Sequence, residues 1–170
     1  DTIITNGAGN YAGWLHRYYS YKLYRTQLAP TSGSMGYGLP AAVAAKLEHP
    51  EREVICLAGD GCFQMTMQEF GTARQYGLKV IVIIVNNGVY GTIRMHQQRE
   101  YPGRPSGTTM VNPDFAALAA SYGCAGEIIT KTDDFAPALE RARKVETSTL
   151  IELRTDPSAV TPRTPALHTV

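Results

Sequence analysis

Val54-Ile55-Cys56-Leu57-Ala58-Gly59-Asp60-Gly61 is an apolar run that drives straight into a glycine-flanked aspartate. Val80-Ile81-Val82-Ile83-Ile84-Val85 repeats the pattern and stops at Asn86-Asn87-Gly88. Neither run alternates polar with apolar residues. Each therefore reads as a strand buried on both faces, as in a parallel sheet covered by helices. Between them Phe63, Met67 and Phe70 mark the core face of one helix, and Gly77 stands where that helix ends. This strand–helix–strand unit places the chain in the α/β class.

The same rhythm extends outward. Thr2-Ile3-Ile4-Thr5 is a first strand, followed by the turn Asn6-Gly7-Ala8-Gly9-Asn10 and by Tyr11, Trp14, Leu15 and Tyr18 at helical spacing. Leu28-Ala29-Pro30-Thr31 is a short extended piece before Ser32-Gly33-Ser34-Met35-Gly36-Tyr37-Gly38, and Pro40 suits the first turn of an Ala-rich helix ending near Leu47. Downstream, residues 101–110 read as a surface loop, and Asn112-Pro113 starts a helix carrying Phe115, Leu118, Ala119 and Tyr122. Asp133 or Asp134 opens a last helix, and Leu150-Ile151-Glu152-Leu153 is the final strand. The expected organisation is one domain over residues 1–156 and an irregular tail over 157–170.

With 170 residues, 44% hydrophobic and 18% charged, the chain suits a single globular domain. A net charge of +1 with scattered basic residues argues against nucleic acid and acidic membranes as partners. No apolar stretch reaches the length of a membrane span. Cys56, Cys62 and Cys124 lack paired spacing, so reduced thiols and a cytoplasmic setting are expected. The opening residues read as a strand already under way, which fits a piece of a larger polypeptide.

Three glycine-rich turns each follow a strand and precede a helix. At the carboxyl edge of a parallel sheet such turns line the ligand site, and helix N-termini there present N–H groups to anions. A phosphate-bearing ligand is the natural occupant. Asp60 and Asn87 end neighbouring strands of one unit, so their side-chain oxygens meet at that edge. A carboxylate and an amide oxygen, with room for phosphate oxygens and water, suit Mg²⁺ or Ca²⁺.

Gly59-Asp60-Gly61 followed by Asn86-Asn87, with Ser32-Gly33-Ser34-Met35-Gly36-Tyr37-Gly38-Leu39-Pro40-Ala41-Ala42 upstream, resembles the thiamine-diphosphate enzymes. The likeness is to the C-terminal domain of acetolactate synthase and related 2-oxo acid decarboxylases, and it covers nearly the whole chain. It implies a Rossmann-like thiamine-diphosphate-binding fold with a mostly parallel sheet and helices on both faces. By that resemblance Asp60 and Asn87 hold Mg²⁺ or another divalent cation through their side chains, and Val89 through its carbonyl. Gly9, Asn10, Gly61 and Cys62 contact the diphosphate, mostly through N–H groups. Met35 props the thiazolium ring and its N–H donates to a ring nitrogen, while the Gly33 carbonyl accepts from the pyrimidine amino group. The family's activating Glu lies on a separate pyrimidine-binding domain, which nothing here resembles. That domain is the expected partner, from the same polypeptide or another subunit of a homo- or hetero-oligomer.

The helix over Gly91-Thr92-Ile93-Arg94-Met95-His96-Gln97 matches one that lines the substrate channel in acetolactate synthases. Arg94 and His96 are its candidate channel residues. The Trp those synthases carry near His96 is absent, and so is the Glu that simple decarboxylases carry near Ile93 or Arg94. The expected activity is decarboxylation of a 2-oxo acid with transfer to a second carbonyl. Alternatives are an aryl or branched 2-oxo acid decarboxylase, and a non-catalytic cofactor-binding subunit. A generic nucleotide-binding module lacks its motif here. Blander roles compete residue by residue: Asp60 as a helix cap, Asn86-Asn87-Gly88 as a tight turn, Met35 as core filler. The aromatics Tyr11, Trp14 and Tyr18 read as core and interface, Glu69 as structural, and His16, His49 and His168 as surface residues.

Overall fold

A computed structural model describes residues 1–162. In chain order its elements are β1 (Ile3–Asn6), α1 (Ala12–Tyr18), β2 (Gln27–Leu28), α2 (Gly38–Glu48), β3 (Val54–Gly59), α3 (Asp60–Gln64) and α4 (Glu69–Gln75). They continue with β4 (Ile81–Asn86), α5 (Gly91–Glu100), α6 (Phe115–Ser121), β5 (Ala125–Ile129), α7 (Phe135–Lys144) and β6 (Thr149–Arg154). The six strands form one sheet in the order β2-β1-β3-β4-β6-β5, and every neighbouring pair is parallel.

The unbroken apolar runs have their explanation in two cores. Alternate residues of each strand point to opposite faces. Val54, Cys56, Val82, Ile84 and Leu150 pack with Leu39, Phe63, Phe70 and Phe115 on one side. Ile55, Ile81, Ile83 and Ile151 pack with Ala138 and Ala142 of α7 on the other. Each buried Val, Leu, Ile or Phe among them contributes roughly 1.5–3 kcal/mol. With helices on both faces, the expected α/β architecture is borne out.

Three elements differ from the sequence reading. The helix drawn through Phe63, Met67 and Phe70 is two short helices joined by a turn, and Met67 is 37% exposed while both phenylalanines are buried. The break is held by Thr66, whose hydroxyl donates to the Gly36 carbonyl at 2.8 Å and draws the turn toward Met35. The helix at Asn112-Pro113 begins two residues later, because Asp114 accepts from the Ala117 N–H at 2.9 Å and is the true cap. Finally β5 was not anticipated. Ala125-Gly126-Glu127-Ile128-Ile129 has neither a strand's alternation nor an apolar run, yet it pairs with β6 along its length. Glu127 is held there by Arg141 of α7 at 2.6 Å.

Gly126 is what lets α6 lie against this edge strand. A Cβ there would stand 2.7 Å from both Cα and O of Ala116, backbone atoms that cannot swing aside. Gly126→Ala is therefore expected to destabilise the chain by about 1–3 kcal/mol, read as a lower urea midpoint with unchanged slope.

The thiols are unpaired among the described residues. Burial pushes the Cys56 thiol up to about 12, so it stays protonated as a packing group. Trp14 and Tyr18 are 40% and 65% exposed and so are not core residues. His16 and His49 are exposed, whereas His168 lies outside the described residues. Residues 157–162 form no helix or strand, but Val160 is buried at 3% exposure.

Candidate active site

Connections leave β1 toward β2 on one side of the sheet and β3 toward β4 on the other, so strand order reverses between β1 and β3. At such a switch point the two turns splay apart and open a crevice. The main cleft lies there, lined by Gly9, Asn10, Tyr11, Met35, Asp60, Gly61, Cys62, Asn87, Val89, Tyr90 and Thr92, among others. Of the cofactor- and metal-binding candidates read from sequence, only Gly33 is not in the lining. It is exposed at the surface, two residues before Met35, with a left-handed φ of 69°.

Asp60 begins α3 at the end of β3 and is 4% exposed. Its Oδ1 accepts from the Gly61 N–H at 2.8 Å, and its Oδ2 from the Gly88 N–H at 2.9 Å and Asn112 Nδ2 at 2.7 Å. All three donors are neutral. A buried carboxylate without a cation among these partners is costly to hold in the fold alone. Asn87 Oδ1 accepts from the Val89 N–H at 3.1 Å, which turns the 87–89 segment into a tight loop beside Asp60. Among the described residues no group of three or more His, Cys, Asp or Glu could hold a metal. Among the described residues the oxygen donors in the cleft include the Asp60 carboxylate, the Asn10 and Asn87 amide oxygens, the Thr92 and Thr155 hydroxyls and backbone carbonyls. Hard oxygen donors completed by phosphate and water fit Mg²⁺, not a soft metal.

The turns are shaped for close approach. A Cβ on Gly61 would stand 2.5 Å from Tyr90 Cε1, so any side chain there would collide with the cleft wall. The Cys62 Sγ accepts from the Gly36 N–H at 3.1 Å and from the Tyr11 hydroxyl at 3.2 Å. Those bonds lock the Met35-Gly36 segment, where Gly36 has φ of 79°, onto the β3 turn. Burial first, and then the Cys62 thiol, push the Tyr11 phenol far above its ordinary range, so it remains a donor. The Asn10 N–H donates to Thr92 Oγ1 at 3.1 Å. A diphosphate that used this N–H would displace a hydroxyl from α5.

Arg94 and His96 do not line the cleft. The Arg94 guanidinium donates to the hydroxyls of Thr108 and Thr109 at 2.6 and 2.9 Å, and clasps the loop to α5. His96 is exposed and meets Arg99 at 3.1 Å. Gly91, Thr92 and Ile93, the first turn of this helix, are its residues in the cleft lining. Glu69, in the first turn of α4, is also outside the lining. Sequence reasoning missed Tyr11, Tyr90 and Thr92 as cleft residues and Asn112 as a partner of Asp60. The proline after Asn112 suggested a helix start and drew the reading away from its side chain.

Residues 7–153 match the family model described as thiamine pyrophosphate enzyme, C-terminal TPP binding domain. The chain belongs to that family. It is 38% identical over 151 residues to the acetolactate synthase large subunit of Corynebacterium glutamicum, covering 85% of this chain and 24% of that protein. With the isozyme 2 large subunit of acetolactate synthase from Escherichia coli it shares 34% identity over 142 residues, covering 82% and 26%. Among solved structures, the thiamine diphosphate-dependent 4-hydroxybenzoylformate decarboxylase of Rhodococcus jostii RHA1 superimposes with a TM-score of 0.85 at 35% identity, over 92% of this chain and 30% of that one. The chain spans about a quarter of the length of the curated relatives it matches. Among the described residues no helix is long and apolar enough to cross a membrane.

Proposed function

We propose that the cleft binds thiamine diphosphate with Mg²⁺ or a similar divalent cation, as one part of an acetolactate-synthase-like enzyme. The observation that carries this is Asp60, a buried carboxylate with only neutral partners, set beside Asn87 and Val89 where two glycine turns meet. Asp60, the Asn87 amide oxygen and the Val89 carbonyl would hold the cation. The N–H groups of Gly9, Asn10, Gly61 and Cys62 would face the diphosphate, at turns where a partial positive charge favours anions. Met35 would support the thiazolium ring, and the Gly33 carbonyl would receive the pyrimidine amino group.

The chemistry that bound thiamine diphosphate supplies is loss of carbon dioxide from a 2-oxo acid with retention of the electron pair. This chain's own residues bind, orient and exclude water; Val160, Tyr90 and Ile93 add an apolar wall. The expected overall reaction joins the remaining acyl carbon to a second carbonyl. Likeness to acetolactate synthase large subunits favours it. Release of a free aldehyde is the second reading, favoured by the decarboxylase that shares the fold at a TM-score of 0.85. No carboxylate stands in α5 before Glu100, so that helix offers no acid to protonate the product near the cleft. Product analysis of the complete enzyme with pyruvate and a second 2-oxo acid separates the two. Ligation products should dominate, and aldehyde as the sole product would select the second reading.

A further inference from the structure

Beside the cleft, on the face of the sheet covered by α6, two asparagines join Asp60 to a second buried carboxylate. Glu152 of β6 is 2% exposed, and its Oε1 accepts from Asn86 Nδ2 at 2.8 Å and from Arg154 Nε at 3.0 Å. Its Oε2 has no hydrogen-bond partner among the described residues. Asn86 Oδ1 accepts from the Gly88 N–H at 3.1 Å and from Asn112 Nδ2 at 2.7 Å. The same Asn112 amide donates to Asp60 Oδ2 at 2.7 Å, and its Oδ1 accepts from Gln64 at 2.8 Å.

The direction of every bond in this relay follows from its far end. A carboxylate paired with an arginine accepts and does not donate, so Glu152 admits only the NH₂ of Asn86. That turns the Asn86 carbonyl toward Asn112, which must answer with its own NH₂, and the second proton of that NH₂ reaches Asp60. With Asn112, Gly88 and Gly61 each holding one acceptor position, the Asp60 carboxylate has a fixed plane and about one of its four acceptor positions left. Packing does not account for Glu152. Leu150, two residues earlier on the same face, is an ordinary core residue, and a buried carboxylate with an unpartnered oxygen costs stability.

We propose that Glu152 is a positioning residue for the cation site, acting through Asn86 and Asn112 to present the free oxygen position of Asp60. The inference rests on the assignment of Asp60 as cation ligand made above. Glu152→Gln keeps the shape but can donate or accept, so the order of the two amides is no longer imposed. Asn112→Asp removes the donor to Asp60 outright. In the full chain, titration with thiamine diphosphate and Mg²⁺ should show affinity lowered on the order of 10-fold by Glu152→Gln and at least as much by Asn112→Asp. In the chain without ligand, the side-chain NH₂ signals of Asn86 and Asn112 should be protected from exchange, and should shift and lose protection in Glu152→Gln. That spectroscopic change separates reorientation of the amides from a general loss of stability.

Wild-type affinity in both variants, with Asp60→Ala defective, overturns the positioning role. Weakened binding with unchanged Asn86 and Asn112 signals overturns it too, because the effect then bypasses the relay. Wild-type affinity in Asp60→Ala overturns instead the cation assignment on which the inference rests.

Discussion

Asp60→Ala is expected to weaken Mg²⁺-dependent binding of thiamine diphosphate on the order of 100-fold or more, above the 10–100-fold typical of residues that only support a ligand. Among the described residues Asp60 is the only acidic side chain in the cleft lining. The diphosphate is itself strongly anionic, and without the cation it would meet only neutral N–H groups. Asn87→Ala removes a neutral donor and should weaken binding less, because water can take the place of an amide oxygen. Calorimetric titration of the three proteins, with and without chelator, checks this order. Affinity retained by Asp60→Ala, or undiminished by chelator, would refute the metal assignment. The variant must first be shown to fold, since Asp60 also anchors Gly61, Gly88 and Asn112.

The second large effect concerns turnover. The isolated 170-residue chain is expected to release no carbon dioxide from 2-oxo acids above the rate of free cofactor. Among the described residues no glutamate lines the cleft, and the Asp60 oxygens are already engaged by the Gly61 and Gly88 N–H groups and by Asn112. A positioned acid or base contributes about 10²–10⁴-fold to a proton-transfer step, so its absence from the site should be plain in the rate. Addition of a cognate pyrimidine-binding domain carrying a glutamate should restore release of carbon dioxide. Robust decarboxylation by the purified chain would show that the site is complete without one. Measuring cofactor binding in the same preparation distinguishes a site that binds without turnover from one that does not bind.

Legibility in the sequence was uneven, for physical reasons. The strands at Val54 and Val80 were plain because a strand buried on both faces must be apolar at every position. The β5 strand was not, because an edge strand with Gly126 and Glu127 owes its place to α6 and α7 and not to its own pattern. Asp60 and Asn87 could be brought to one sheet edge by spacing and Val89 added by family likeness, and all three line the cleft. Arg94 and His96 could not be placed in the same way. A helix of ten residues has several faces, and the Thr108 and Thr109 hydroxyls draw Arg94 toward the loop.

By itself, then, the sequence determined the α/β class and the glycine turns at the carboxyl edge with Asp60 and Asn87 beside them. These are local properties: burial on two faces leaves an unbroken apolar run, and a turn that approaches a phosphate closely needs glycine. Only the tertiary structure decided that Tyr11, Tyr90 and Thr92 wall the cleft, and that Asn112 reaches Asp60. It alone linked Asn86 to Glu152, residues 66 positions apart in the chain. Such partnerships depend on which strand ends lie side by side once the order β2-β1-β3-β4-β6-β5 is set, and no spacing along a chain encodes a hydrogen bond across a sheet.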